Sequence, residues 1–209
     1  GVLTAILWPA DEEAQEARLA ALKETGLREV YGDNIYAIPL TRRLGLTLHG
    51  GAGLNILNTE ALRHYEEEGL ASVTASFELS MRGIKSLGGS IPLGAIVYGR
   101  LPLMHFRNCP LRAQIGCAAC RARGELTDRR GEHFPVLRAW GCRSEIENGK
   151  ILYLADKSKD WQTLGLRFAQ LRFTTESASE CVRVLRAYQG EPVEAPENIT
   201  RGLFYRGAE

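Results

Sequence analysis

The chain has 209 residues and a formal net charge of +1, with 44% hydrophobic and 24% charged residues. These values are ordinary for a globular protein and exclude extended disorder. The near-neutral charge excludes a strongly basic nucleic-acid-binding surface as a global property, although a local basic patch is still allowed. The apolar stretches are too short to cross a bilayer, and no basic leader precedes an apolar core. We therefore expect a cytoplasmic protein that makes no membrane contact.

The first half of the chain predicts short apolar strands that alternate with helices. The predicted strands are Val2–Trp8, Glu29–Tyr31, Leu46–His49, Ser72–Phe77 and Leu93–Tyr98. The predicted helices are Asp11–Thr25, Ile35–Leu44 with an interruption near Pro39, Thr59–Glu68 with Thr59 as its cap, and Ser80–Leu87. This alternation implies parallel pairing with right-handed crossovers. It is compatible with a doubly wound sheet or with part of a (β/α) barrel, and we favour the barrel.

Beyond Met104 the pattern changes. Strands are predicted at Phe134–Ala139 and Lys150–Leu154 in a small appended sheet, followed by a helical turn, a strand and a capped helix at Asp160–Gly165, Phe168–Phe173 and Ser177–Tyr188. We therefore expect four segments: a partial barrel (1–104), a cysteine-bearing segment with a small β region (105–156), a returning β/α unit (157–190) and an extended tail (191–209).

Four of the five cysteines have the spacing of metal ligands. Cys109, Cys117, Cys120 and Cys142 follow the pattern C-x7-C-x2-C-x21-C. The close pair can bind one metal from a single loop, and the outer two can complete a tetrahedral shell for zinc or a cubane iron–sulfur cluster. Free buried thiols and structural disulfides are the alternatives. Cys181 lies in a predicted helix among apolar residues, so we interpret it as a small core residue.

Several other residues are candidates for a site. His49 ends a predicted strand, and Asn55 and Glu78 lie beyond strand ends, where barrels place their chemistry. The alternative is that His49 and Asn55 hold loop backbone and that Glu78 caps the following turn. Arg100 and His105 precede the first cysteine and suit anion binding or contact with the ligands of a cluster. We expect the same role for Arg129.

Arginines are concentrated around the cysteine segment. Their charge would lower thiolate pKa values and balance a four-thiolate site. The residues are Arg100, Arg107, Arg112, Arg121, Arg123, Arg129, Arg130, Arg138 and Arg143. Asp128–Gly131 predicts a turn in which Asp128 hydrogen-bonds its own backbone.

Several short motifs together resemble peptidase family U32. They are Leu54–Asn58, Ser76–Ser80, Tyr98–Met104, Asn108–Leu111 with Cys117 and Cys120, Leu126–Arg129, Phe134–Val136, Thr200–Gly202 and Tyr205–Gly207. The resemblance implies a C-terminal portion of a longer chain, whose first barrel strands would be the missing partner of an open edge at Val2–Trp8. Self-association through that edge is expected.

The resemblance implies two different activities. The family name records collagenase-like proteolysis, whereas several bacterial members resemble oxygen-independent hydroxylation factors that carry a [4Fe-4S] cluster and act on RNA or ubiquinone. The sequence has no G-x-S-x-G and no H-E-x-x-H motif, and a four-thiolate site is closed to hydrolytic water. We therefore favour an iron–sulfur factor of RNA modification, with RNA as the partner. A U32 peptidase and a zinc-stabilised binding module are the alternatives.

Overall fold

The structure is a computed structural model that describes residues 1–118, 123–139 and 142–207. The chain forms two compact units. The first contains Gly1–Ile96, Lys159–Gln170 and Gly202–Glu209, and the second contains Val97–Ser158 and Leu171–Arg201. Among the helices of the described ranges, we find none with the length and apolar character needed to span a membrane.

The elements follow one another in a mixed α/β order. The strands are β1 (Glu29–Gly32), β2 (Thr47–Gly50), β3 (Ser72–Thr74), β4 (Leu93–Gly99), β5 (Pro102–Phe106), β6 (Arg123–Thr127), β7 (His133–Arg138), β8 (Ser144–Glu147), β9 (Ile151–Tyr153), β10 (Phe168–Arg172) and β11 (Ile199–Thr200). The helices are α1 (Glu12–Glu24), α2 (Ala37–Leu44), α3 (Thr59–Glu67), α4 (Met81–Ser86), α5 (Arg112–Ile115), α6 (Ser158–Gln162) and α7 (Ala178–Tyr188).

In the first unit, β1, β2, β3 and the start of β4 pair in parallel and in chain order. Helices α2, α3 and α4 occupy the connections between them, as parallel pairing requires. The core is built from aliphatic side chains of both strands and helices, including Val30, Leu48, Ile56, Leu62 and Val73. The predicted α/β class with a parallel sheet is confirmed.

Three local predictions in this unit were wrong. The segment Val2–Trp8 is not a strand: only Val2 forms an isolated bridge, to Tyr31. Pro39 does not interrupt α2 because it lies in the first turn, where a missing N–H costs nothing. The cap of α3 is Asn58 rather than Thr59, since the Asn58 Oδ1 accepts from the Ala61 N–H at 2.8 Å.

The second unit contains a four-stranded antiparallel sheet in the order β5-β8-β7-β6. Leu111, Val136 and Ile146 form its apolar cluster. The sequence predicted only β7 of this sheet. The predicted partner Lys150–Leu154 instead supplies β9, which pairs antiparallel with the end of β4 and parallel with β11. Because β5 is a sheet edge with exposed side chains, it lacks the alternating pattern that identifies a strand.

The rest of the second unit is held together by a cluster of aromatic rings and by contacts of the C-terminal segment around Arg201. Tyr98, Tyr153 and Val184 form a buried cluster against which Tyr188 packs. Arg201 makes two hydrogen bonds to the carboxylate of Asp156, at 2.6 and 2.7 Å. The tail around Arg201 is therefore held by a bidentate ion pair rather than extended freely into solvent.

The cap of α7 provides a test of local stability. The Ser177 hydroxyl accepts from the Glu180 N–H at 3.3 Å, and the Glu180 carboxylate accepts from the Ser177 N–H at 2.7 Å, which completes a capping box. We expect Ser177→Ala to lower the free energy of unfolding by about 1 kcal/mol. Urea unfolding followed by circular dichroism measures this change. Val182→Ala, at an exposed position of the same helix, is the control, and an equal loss in both variants would contradict the role of the cap.

Candidate functional site

Strand register places three cysteine-bearing segments at one end of the four-stranded sheet. Phe106, the last residue of β5, pairs with Ser144, the first residue of β8, and Ser144 also pairs with Arg138 at the end of β7. The first residue of β6, Arg123, pairs with Leu137 near the end of β7. The loop after β5, the segment before β6 and the β7–β8 loop therefore share this end, which we call the cysteine end.

The described cysteines at this end differ in exposure. Cys109 follows β5, is partly buried and packs against the cluster around Val136. Cys117 follows α5 and is exposed, as is Cys142, whose φ of 63° places it in the left-handed region just before β8. Cys120 lies outside the described residues. Cys181 lies in α7, as predicted, but it is only partly buried rather than a core residue.

The ligand set is not assembled among the described residues. Cys109, Cys117 and Cys142 are all free thiols, and no three His, Cys, Asp or Glu side chains of the described ranges form a group that could hold a metal ion. The donors nevertheless fit a metal centre in type, because thiolates are the preferred ligands of zinc and of iron–sulfur clusters. Their segments also share one end of the sheet, although the described side chains do not converge there. Coordination by all four cysteines stays a prediction.

The arginines divide between the two ends of the same sheet. Arg107, Arg112 and Arg138 are exposed and belong to the cysteine end. Arg129 lies in the β6–β7 turn, and the pairing of Thr127 with His133 places that turn at the opposite end. The structure therefore does not bring Arg129 to the cysteines, and its assignment beside a cluster has no support from the sheet geometry.

The β6–β7 turn is held as the sequence predicted. The Asp128 Oδ1 accepts from the backbone N–H groups of Arg130 at 2.8 Å and Glu132 at 3.0 Å. Asp128 is thus a turn-forming residue. The neighbouring Arg129 is an exposed side chain on this turn.

Arg100 and His105 have separate environments. The guanidinium of Arg100 donates to the backbone carbonyls of Asn148 at 2.9 Å and of Gly149. It therefore holds the β8–β9 turn rather than presenting a free cation. His105 is exposed on the edge strand β5, opposite Glu145. Contact of either residue with bound anions or cluster ligands stays a prediction.

A buried carboxylate was missed by sequence analysis. Glu147, in β8, is completely buried, and Arg172 donates to its Oε2 at 2.8 Å and to the Oε1 of Glu145 at 2.8 Å. The Glu147 Oε1 has no hydrogen-bond partner within the described residues. Burial raises the pKa of Glu147 to about 7, opposed by the charge of Arg172 and reinforced by that of Glu145. The sequence pattern contains no signal for this, because Arg172 is 25 positions from Glu147.

The raised pKa of Glu147 predicts a pH-dependent stability. Between pH 4.5 and about pH 7 the Glu147 carboxyl keeps its proton in the folded protein but loses it in the unfolded chain. The free energy of unfolding should therefore fall as the pH rises through that window. Glu147→Gln removes the titration while keeping the shape of the side chain. Urea unfolding of both proteins from about pH 5 to about pH 8 measures the difference. We expect the variant to gain stability relative to the parent as the pH rises, and a pH-independent difference would contradict this origin.

The first unit contains a cavity of about 790 Å³ on the face of its parallel sheet. Strand residues supply most of its walls. The lining includes Glu29, Tyr31, His49, Ser72, Thr74 and Gln170, with Arg167 just before β10 and Phe168 at its start. A volume of this size is typical of a small-molecule site.

The cavity wall contains a satisfied polar network. The Gln170 Nε2 donates to the Tyr31 hydroxyl at 3.1 Å, and the Thr74 hydroxyl donates to the Gln170 Oε1 at 3.2 Å. The Tyr31 hydroxyl donates to the Asp33 Oδ1 at 3.1 Å. Burial and the charge of Asp33 raise the pKa of Tyr31 to about 12, so its hydroxyl remains protonated. A side chain at Gly51 would overlap both Tyr31 and Asp33, which explains why glycine is needed there.

The three predicted pocket residues are not brought together. His49 lines the cavity, whereas Asn55 and Glu78 are exposed and are not part of its lining. Asn55 has a φ of 53° and ends a short 3-10 helix. Glu78 uses its backbone N–H to donate to the Ser76 Oγ at 3.3 Å. Catalytic roles for the three residues stay predictions.

The polar partners of His49 were missed by sequence analysis. Ser72 Oγ lies 2.8 Å from its Nδ1, and Glu29 Oε2 lies 3.4 Å from its Nε2. These residues come from three different strands. A correct register for the predicted parallel strands would have identified the pair, because His49 and Ser72 are direct neighbours across β2 and β3.

Comparison with known proteins gives one family match. The family model described as Peptidase family U32 matches residues 2–129. No curated protein matches. Among solved structures, the spore cortex-lytic enzyme SleL of Bacillus cereus is similar over 87% of this chain and 53% of its own, with 11% identity and a TM-score of 0.38. The chain spans about half the length of that enzyme.

Proposed function

Because the chain belongs to peptidase family U32, we propose that it is an iron–sulfur-dependent factor in the oxygen-independent hydroxylation of RNA. The observation that carries this proposal is the end of the four-stranded sheet that the segments with Cys109, Cys117 and Cys142 share. Cys120 belongs to the same connection as Cys117, between β5 and β6. Four thiolates at one end would hold a [4Fe-4S] cluster, and a structural zinc is the alternative occupant.

The cluster, when bound, would supply electron transfer. The chain's own residues have two further roles under this proposal. Cys109 is partly buried against apolar side chains, which would shield its sulfur from water. The cationic side chains of Arg107, Arg112 and Arg138 would balance thiolate charge and contact phosphates of the nucleic acid.

We propose that residues 1–104 and 157–190 are part of a (β/α) barrel whose remaining strands lie in a missing N-terminal portion of the same protein. Parallel pairing of β1 to β4 in chain order supports it, and so does the pairing of β10 with β4, where Arg167 N–H donates to the Leu93 carbonyl at 2.8 Å. Parallel strands in sequential order are the arrangement of such barrels.

Metal analysis of cysteine variants tests the cofactor. The full chain, purified without oxygen, should contain iron and labile sulfide and absorb broadly in the visible range. We expect Cys109→Ser and Cys142→Ser to lose most of the iron, because each would remove one of four ligands. Cys181→Ser is the matched control and should keep it. Zinc in place of iron would support the binding-module alternative, and iron retained in both ligand variants would contradict the proposed centre.

Salt-dependent binding tests the partner. Replacing Arg107, Arg112 and Arg138 by alanine should weaken RNA binding and lower the slope of log affinity against log salt by about 2 to 3, since each phosphate contact contributes about 0.7 to 0.9. The matched control is the double variant Arg129→Ala with Arg130→Ala, at the opposite end of the sheet. Filter binding over a salt series measures both.

The same experiment separates RNA modification from proteolysis. A control variant that loses as much affinity as the cysteine-end variant would contradict a site at that end. Salt-insensitive or absent RNA binding, together with cleavage of a collagen-derived peptide that survives serine substitution of all four predicted ligands, would favour the peptidase.

A further inference from the structure

Three side chains with complementary chemistry lie in one row across the parallel sheet of the first unit. His49 is paired with Tyr31 of β1 and with Ser72 of β3, and Glu29 lies two residues before Tyr31 on the same face. Ser72 Oγ is 2.8 Å from His49 Nδ1, and Glu29 Oε2 is 3.4 Å from His49 Nε2. All three side chains line the cavity.

The hydrogen-bond partners of His49 determine which of its ring nitrogens carries the proton. An ionised carboxylate can only accept, so the nitrogen that faces Glu29 must be the protonated Nε2. In a neutral imidazole the Nδ1 then has a free lone pair, and the Ser72 hydroxyl donates to it. The three residues therefore have the arrangement of a catalytic triad: a serine nucleophile, a histidine base and a carboxylate that orients the histidine.

The cavity also has room and charge for a reacting group. Its volume of about 790 Å³ extends over the row. Arg167 lines it as well, and within the described residues its guanidinium makes no hydrogen bond or ion pair. A cation that is not neutralised by a neighbour can stabilise the oxyanion that forms when a carbonyl carbon is attacked.

We propose that this row is a hydrolytic site for small acyl esters, with Ser72 as the nucleophile, His49 as the base and Glu29 as the residue that positions His49. Ser72 Oγ bonds to the ester carbonyl carbon while its proton passes to His49 Nδ1. The carbon–oxygen bond to the alcohol breaks, and the alcohol leaves with that proton. A water molecule then gives its proton to His49, attacks the acyl-serine and releases the carboxylic acid and the restored hydroxyl.

This site is independent of the cysteines. None of its three residues belongs to the cysteine end, and hydrolysis of the ester needs water as its only co-reactant. Loss of the cluster would leave it intact. The local motif search in the sequence found no hydrolytic constellation because the three residues are spread over β1, β2 and β3 and match no short pattern.

The test uses the full chain with p-nitrophenyl acetate and a fluorophosphonate probe. We expect hydrolysis with an initial burst of p-nitrophenolate, and mass spectrometry should find the acetyl group on the peptide that contains Ser72. Ser72→Ala should abolish labelling. His49→Gln should lower the rate about 100-fold or more, as for loss of a general base. Ser76→Ala, a buried serine outside the cavity lining, is the matched control and should label normally.

A second variant keeps the test decisive if Ser72→Ala fails to fold. Glu29 is largely exposed, so Glu29→Gln should fold normally. It should slow hydrolysis and change the pH profile, because an imidazolium beside an amide is less stable than one beside a carboxylate. Absent labelling of the folded parent protein would overturn the proposal. So would labelling that persists in Ser72→Ala, or a Glu29→Gln variant with an unchanged rate and pH profile.

Discussion

Pairing between neighbouring strands decides which side chains meet in this protein, because a shift of one residue would turn every side chain of a strand to the opposite face. In the second unit, the register between β5, β8, β7 and β6 brings three cysteine-bearing segments to one end and places Arg129 at the other. In the first unit, the register between β1, β2 and β3 aligns Glu29, His49 and Ser72. Both candidate sites follow from backbone hydrogen bonds rather than from local sequence motifs.

The two sites call for different chemistry. The cysteine end offers soft sulfur donors and exposed arginine side chains, which suits a redox cluster and a polyanionic partner. The cavity offers a hydroxyl, an imidazole and a carboxylate within hydrogen-bonding or ion-pair distance, which suits acyl transfer. The family name records proteolysis, and the second arrangement shows that this chain has residues capable of a hydrolytic step even though no local motif reveals them.

Much of the fold could be predicted because long periodic segments have strong signals. Helix α1, helix α7 with its capping box and the buried strand β4 all lie within a few residues of their predicted bounds. Edge strand β5 was missed because its exposed side chains lack alternation, and the short strands β6 and β8 were missed because their pairing is fixed only by tertiary contacts. The ligand-like cysteine spacing was visible in the sequence. The Glu147–Arg172 pair had no sequence signal, and the His49–Ser72 contact depends on a strand register that no local pattern specifies.

Iron K-edge X-ray absorption of the full chain, purified without oxygen, tests the central claim most directly. An iron–sulfur cluster held by the four cysteines predicts a first shell of sulfur neighbours only and a second shell of iron. The same spectrum should disappear in a variant with all four predicted ligands replaced by serine and persist in Cys181→Ser. Absorption at the zinc edge with no iron, or an iron shell made of oxygen and nitrogen, would contradict the assignment of Cys109, Cys117, Cys120 and Cys142 as cluster ligands.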